Sequence, residues 1–134
     1  MFNLNKMTFF SVWLLLSHTL YGASGDTYTH LQVCKAALSS VMGVDPRAID
    51  TEQEKDGIVS LHYRIAGEND RYEYKCRVEG KRVIWGSAKG RWRTKKGDAL
   101  ITFSVSNGNV TIRERFNDEP RSQGTKTTFP LSQL

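Results

Sequence analysis

The segment 71–85, RYEYKCRVEGKRVIW, decides the fold, because apolar and charged residues alternate through it on both sides of a glycine. A period of two is typical of β-strands with one face in a core and the other in solvent. Gly80 opens the turn between the two runs, and glycine in that position favours a tight type II′ hairpin. The turn sets Cys76 opposite Trp85 on the apolar face. The segment therefore predicts an antiparallel hairpin.

The alternation continues on both sides of this hairpin. Residues 58–65 alternate, and a four-residue loop at 67–70 would set Tyr63 opposite Tyr74 and His62 opposite Lys75. Downstream, Asn107-Gly108 separates two alternating runs and is a strong hairpin signal. Residues 125–129 could add a short edge strand, whereas the acidic stretch 50–56 is predicted to be a loop.

Residues 29–42 have the spacing of an amphipathic helix, with Cys34 on its apolar stripe. Thr27 or Thr29 can cap the start, and Gly43 is well placed to end the helix. With the strands, this helix predicts an α+β fold: an N-terminal helix packed on a roughly five-stranded antiparallel meander. We expect a single globular domain over 26–134, with a loose polar C-terminal tail from about residue 117.

Residues 1–25 have the features of a cleaved signal peptide. Lys6 precedes an apolar run over 7–16, and Ala23-Ser24-Gly25 supplies small residues before a mature start at Asp26. The run is shorter than the roughly 20 apolar residues that span a membrane; the alternative is a buried N-terminal helix. We therefore predict a periplasmic or secreted protein with no transmembrane segment in the mature chain.

Cys34 and Cys76 are the two cysteines of the sequence. Export would place them in an oxidising compartment, where paired cysteines form disulfides. Both fall on faces that point into the predicted core, so a bond between them would link helix to sheet. Two buried free thiols, or one reactive cysteine, are the alternative.

The charge is unevenly distributed along a chain whose formal net charge is +5. Residues 45–70 hold three basic and seven acidic side chains, whereas residues 71–96 hold ten basic and two acidic ones. Aromatic residues between the basic ones suit an anionic, stacking ligand, although strand alternation alone also produces that pattern and would place Trp92 in the core. The predicted binding surface comprises Lys75, Arg77, Arg82, Lys89, Arg91, Arg93, Lys95 and Lys96. Its expected partner is an acidic protein, an envelope polymer or a nucleic acid.

Candidate catalytic residues are few, and no metal or cofactor motif is present in the sequence. His62 and Glu73 could exchange protons beside Lys75 and Arg64, in a metal-independent ribonuclease. A helix followed by an antiparallel sheet resembles the small secreted microbial ribonucleases in outline, but a surface salt pair beside a histidine explains the same residues. Glu114 falls on an apolar face opposite Ile101, where a carboxylate is costly unless it is paired or turned outward.

The string R-Y-x-Y-x-C-x-x-x-G-x-x-V-I-W over 71–85 and G-R-W-R over 90–93 resemble small exported proteobacterial proteins of uncharacterised function. The helix that carries Cys34 fits the same resemblance, as does Asp45-Pro46. The resemblance implies a periplasmic or secreted location and a bond between Cys34 and Cys76, and it implies no activity. We therefore expect a non-enzymatic binding domain with a basic face. The alternatives are a ribonuclease-like enzyme, or a structural component or inhibitor or immunity protein of an envelope system.

Overall fold

The computed structural model describes residues 26–53, 55–116 and 124–134. These residues form one α-helix and a seven-stranded antiparallel sheet in which strands adjacent in sequence are adjacent in space. The predicted α+β fold with a meander sheet is therefore confirmed, but the sheet has seven strands and not five. The elements are α1 (His30–Met42), β1 (Asp50–Gln53), β2 (Val59–Arg64), β3 (Arg71–Glu79), β4 (Arg82–Ser87), β5 (Ala99–Ser106), β6 (Asn109–Phe116) and β7 (Thr125–Pro130).

Helix α1 begins and ends as its sequence predicts. The Thr29 hydroxyl accepts from the backbone N–H of Gln32 at 3.2 Å, while the backbone N–H of Thr29 donates to the Gln32 side chain at 2.9 Å. This reciprocal capping box satisfies two amides that the first turn leaves unpaired. At the other end Gly43 adopts φ 69°, and its N–H donates to the carbonyl of Ser39 at 2.9 Å. Glycine takes this left-handed conformation without the steric penalty of a Cβ.

A disulfide joins Cys34 on α1 to Cys76 on β3, with their Cα atoms 5.9 Å apart. Both residues are fully buried, and neither is a free thiol. The predicted link between helix and sheet is confirmed. Around it, the helix packs its buried side chains against one face of the sheet, which we call the inner face; the opposite face is the outer face. The core comprises Val33, Cys34, Ala36, Ala37, Leu38, Ile49, Val59, Leu61, Tyr63, Cys76, Val83, Ile101, Phe103, Val110 and Ile112.

The two strands beyond the predicted five are the edges of the sheet. Part of the acidic stretch 50–56, predicted to be a loop, forms β1, and Asp50 lies opposite His62. An edge strand pairs on one side only, so its polar residues can remain in solvent. At the other edge β7 forms over Thr125–Pro130, as the sequence allowed.

Residues 117–123 of the predicted loose tail, and residues 1–25 of the predicted signal peptide, lie outside the described residues. After the tail segment, Leu131 and Leu134 pack against the core. Within the part that the structure describes, no helix has the length and apolar character needed to cross a membrane.

The register between β2 and β3 differs by two residues from the prediction. Tyr63 lies opposite Tyr72, and His62 lies opposite Glu73 rather than Lys75. The reason is that the connection has its turn at Ala66-Gly67 and runs over 65–70, two residues more than the predicted loop. A shift of two keeps each side chain on its face, so the predicted inner and outer sets are correct.

The other two hairpins have the predicted registers. Cys76 lies opposite Trp85 across the turn at Gly80, and Ile101 lies opposite Glu114. In the second hairpin Asn107 and Gly108 have φ values of 52° and 75°. Both are left-handed, as a type I′ turn requires, and asparagine and glycine tolerate this conformation best. The turn residues therefore determine which side chains face outward along β5 and β6.

Candidate anion-binding surface

The outer face divides into two halves of different charge. We call the outer-face side chains of β1–β3 the near half and those of β4–β7 the far half. The near half carries four basic and four acidic residues: Arg64, Arg71, Lys75, Arg77, Asp50, Glu52, Glu73 and Glu79. The far half carries four basic residues and no acidic one among those described: Arg82, Arg113, Arg115 and Lys126.

In the near half most charges are paired within the sheet. The Nε of Arg71 lies 2.9 Å from Glu73 Oε1, and the Nε of Arg77 lies 2.8 Å from Glu79 Oε1. His62 Nε2 lies 3.2 Å from Asp50 Oδ2 on the edge strand. These contacts between neighbouring strand positions neutralise the cations that they involve. Of the four near-half cations, Arg71 and Arg77 are thus paired with carboxylates, whereas Arg64 and Lys75 donate to backbone carbonyls, of Asn69 and Gly90.

A cavity of about 480 Å³ opens on the near half. It is lined by His62, Arg71, Glu73, Lys75 and Trp92 together with neighbouring residues, so the candidate catalytic pair lies in one place. Arg64, the other predicted phosphate holder, does not line it and instead donates to the carbonyl of Asn69 at 3.1 Å.

The ring of His62 is held on both sides. Its Nδ1 lies 3.2 Å from Nη2 of Arg71, and a guanidinium can only donate. Nδ1 must therefore accept, which leaves the proton on Nε2 for Asp50. Both ring nitrogens are thus engaged within the protein, and a proton transfer to substrate would require one of these contacts to break.

Trp92 lies on the outer face, so its predicted place in the core is wrong. The segment 91–93 runs beside β4, where the N–H of Arg93 donates to the carbonyl of Trp85 at 2.9 Å. Its side chains alternate as expected, but the segment forms no strand, and Trp92 falls on the side away from the helix. The ring covers Lys75 at 4.6 Å and Arg77 at 4.3 Å from its centroid. Both cations are therefore held by cation–π contacts.

The connection 88–98, which we call the long loop, holds two of its arginines against the protein. Arg91 makes two hydrogen bonds to Asp98, at 2.6 and 2.9 Å, and Arg93 stacks over Trp85 at 4.8 Å. The Asp98 side chain is only 8% exposed. Hydrogen bonds from Arg91 hold the pKa of Asp98 far below its ordinary value, with a further contribution from the Lys95 backbone. Arg91 and Arg93 therefore hold the long loop in place through contacts within the protein.

The remaining loop cations are oriented differently. Lys89, Lys95 and Lys96 are exposed, and the described residues provide no acidic partner for their side chains. Two backbone N–H groups of the glycine-rich stretch 86–90 are already bound within the protein. The N–H of Ala88 donates to the backbone carbonyl of Glu73, and that of Gly90 donates to the backbone carbonyl of Ser87. A phosphate-binding backbone loop at 86–90 would therefore lack two of its donors.

The far half is the part of the site that the sequence-based prediction missed, apart from Arg82. Arg82 lies opposite Thr102, Thr102 opposite Arg113, and Arg113 opposite Lys126, which makes one row across four strands. Arg115 lies one step along β6, opposite Leu100. Of the described residues, none forms an ion pair with these four cations. The Asn107-Gly108 turn could have placed Arg113 and Arg115 on the solvent face, because it fixes the register of β5 and β6.

Glu114 belongs to the inner face and to neither half. It lies opposite Ile101, as the hairpin register predicts. Ser40 donates to its Oε2 at 2.8 Å and Thr125 at 3.2 Å. These hydroxyls compensate the carboxylate for its partial burial. Glu114 lies across the sheet from His62 and Glu73 and does not join them.

Comparison with known proteins gives no match: no protein-family model, curated protein or solved structure is significantly similar to this chain. In the described ranges no group of three or more His, Cys, Asp or Glu side chains is placed to hold a metal ion. The resemblance to exported proteobacterial proteins stays a prediction.

Proposed function

We propose that this protein is an exported, non-enzymatic binding domain that holds an acidic partner on the outer face of its sheet. The observation that carries the proposal is the far half, where four cations share one face and form no ion pair with any described residue; Glu79, which lies opposite Arg82, is paired with Arg77. Arg113 and Lys126 are directly opposite, an arrangement that destabilises a sheet. An anionic partner would offset this cost.

The disulfide supports export, because such bonds persist mainly in oxidising compartments. Together with the predicted signal peptide it favours a periplasmic or secreted location. There, uncompensated cations on one face would attract anionic macromolecules through their summed field, and salt would weaken the attraction.

Binding of the mature chain 26–134 to three polyanions tests this function: polyglutamate, heparin and duplex DNA, each followed by fluorescence anisotropy at low and high salt. We expect at least one of them to bind at low salt and to dissociate at high salt. A triple variant of the far half, Arg113→Gln, Arg115→Gln and Lys126→Gln, should lose at least tenfold in affinity.

The matched control removes three charges from the long loop, by Lys89→Gln, Lys95→Gln and Lys96→Gln. It should lose less affinity than the far-half variant. If none of the three polyanions binds, or if both triple variants bind as the parent does, the proposed function is wrong. Equal losses in both variants would show that binding follows the net charge and not the far half, and a larger loss in the control would place the binding surface at the predicted loop.

The second candidate function is a metal-independent ribonuclease, because one cavity brings together His62, Glu73, Arg71 and Lys75. The histidine and the carboxylate would exchange protons while the cations held the phosphate. It ranks second because both nitrogens of His62 are engaged. Incubation with RNA in a chelator tests it: cleavage that His62→Ala abolishes would establish the activity, and absence of cleavage would exclude it.

A further inference from the structure

The cations of the far half are spaced across the sheet like a ladder. Neighbouring strands lie about 4.8 Å apart, so the row from Arg82 on β4 to Lys126 on β7 spans about 14 Å. Its charges stand on the first, third and fourth strands, and Arg115 adds one beside them. A duplex nucleic acid carries one charge per about 1.7 Å of axis, so roughly eight phosphates fall within this span.

The far half is rich in side chains that donate hydrogen bonds to phosphate oxygens. Three of the four cations are arginines, whose planar forks can bind two oxygens of one phosphate at once. Threonine hydroxyls stand between them on the same face, at Thr102 on β5 and at Thr111 and Thr128, whose Oγ1 atoms lie 3.1 Å apart. Arg82 also has a buried Nε with no acceptor among the described residues. The far half thus supplies several donors and no charged acceptor.

The far half also lacks the groups that other polyanionic partners need. Among the described residues, strands β4–β7 carry no aromatic side chain on their outer face, and the ring of Trp92 beside β4 already contacts Lys75 and Arg77. Proteins that bind single strands stack bases on aromatic rings. A lipid surface or a protein partner would favour exposed apolar anchors. Ile84 on this face is buried, and Phe116, which is exposed, lies opposite Ala99 on the inner face. A duplex needs neither, because its bases are stacked inside and its backbone faces outward.

We infer that the far half, Arg82, Arg113, Arg115 and Lys126, binds the phosphodiester backbone of a double-stranded nucleic acid without reading its sequence. This inference rests on the proposed function and specifies the partner of that surface. Contacts to phosphate fix position and carry no base information, so duplexes of unrelated sequence bind equally.

The salt dependence of duplex binding tests the inference quantitatively. Affinity of the mature chain for a labelled 20-base-pair DNA of mixed sequence is measured between about 50 and 200 mM salt. Four phosphate contacts give a slope of log affinity against log salt of about −3.6. Each single variant, Arg113→Gln, Arg115→Gln or Lys126→Gln, reduces the magnitude of this slope by about 0.9. Melting temperatures confirm that the variants are folded, and Lys96→Gln serves as the matched control with an unchanged slope.

The outcomes separate this inference from the function on which it rests. If polyglutamate, heparin or phosphatidylserine vesicles bind through the far half and the duplex does not, the inference is overturned and an acidic partner of another class remains. Tighter binding of a single strand of equal length also overturns it, as does duplex binding that the three variants leave unchanged. If no polyanion binds at all, the proposed function fails with it.

Discussion

The near and far halves of the outer face are built from the same alternating strands and carry equal numbers of cations, yet they differ in what those cations contact. In the near half Arg71 lies against Glu73, and Arg77 lies between Glu79 and the ring of Trp92. In the far half Arg113 lies opposite Lys126 and has no ion-pair partner in the described chain. Positive charge on the outer face therefore occurs in two settings: near-half cations contact groups of the protein itself, whereas far-half cations form no ion pair with any described residue.

The long loop repeats the contrast on a smaller scale. Arg91 is bound to Asp98, while Lys96 is exposed and has no acidic partner among the described residues. A count of basic residues along the chain gives both the same weight. The effect of a substitution therefore depends on whether the cation that it removes has an acidic partner.

The largest expected effect tests whether the two halves form one cooperative unit. Replacing Cys76 by Ser opens a link between residues separated by 42 positions, and loop-closure entropy assigns such a link roughly 4 kcal/mol. Because domains of this size are marginally stable, we expect one unfolding transition, shifted downward by many degrees. Circular dichroism and tryptophan fluorescence, recorded during heating, measure it.

Reductant should have the same effect on the parent chain and none on a Cys34→Ser, Cys76→Ser variant. Two separate transitions would show that strands β4–β7 remain folded after strands β1–β3 unfold. Two titratable thiols in protein purified from an oxidising compartment would contradict the bond itself.

Local sequence rules predicted those parts of the fold that local interactions determine. The cap at Thr29, the end at Gly43 and the hairpin at Asn107-Gly108 each depend on a few adjacent residues. The register of β2 against β3 was wrong because the turn at Ala66-Gly67 lengthens the connection. The edge strand β1 was missed because its acidic composition is unusual for a strand, and only its pairing with β2 makes it one.

The next largest effect is a loss of thermal stability when Arg91, which binds Asp98 in the long loop, is replaced. Arg91→Ser leaves the Asp98 carboxylate without its two guanidinium hydrogen bonds, so the melting temperature should fall by several degrees at pH 7. The folded state lowers the pKa of Asp98 from 3.8, so its ionised form stabilises folding above that pH and this contribution is lost as the pH falls below it. The difference between variant and parent should therefore shrink below about pH 4.

Lys96→Ser removes one positive charge from the same loop and provides the comparison. It should leave the melting temperature within about a degree of the parent, since exposed charges contribute little. Equal losses in Arg91→Ser and Lys96→Ser would show that the loop responds to charge in general rather than to the contact with Asp98.

The candidate site was less predictable than the fold for a physical reason. Alternation assigns a side chain to a face, and it placed Lys75 and Arg77 on the outer face correctly. Whether a cation is free depends on which acidic groups the folded chain brings within reach. Arg91 binds Asp98 within a loop whose sequence has no alternating pattern that would predict the contact. Arg113 lies opposite Lys126 only because β7 pairs with β6.

A smaller effect distinguishes a cation that the near half needs. Arg71→Gln removes contacts to Glu73 and to His62, and exposed pairs of this kind contribute about 0.5 kcal/mol. Urea unfolding should show a loss of stability of that order. The double variant Arg71→Gln, Glu73→Gln should lose little more stability than Arg71→Gln alone. The second substitution removes the Glu73 carboxylate, which the first had left without its partner. Full additivity of the two single effects would mean that the pair is not coupled.

The smallest effect has the opposite sign and concerns the far half. Arg113→Thr removes a positive charge directly opposite Lys126 and replaces it with a residue that strands favour. Unfolding stability should therefore rise by about 0.5 kcal/mol at low salt, and the gain should shrink as salt screens the repulsion. Arg113→Lys keeps the charge, so urea unfolding should show no gain for it. The same Arg113→Thr variant should bind polyanions more weakly, because it removes one of the four cations that we propose bind them. A loss of stability would contradict the expected repulsion between Arg113 and Lys126.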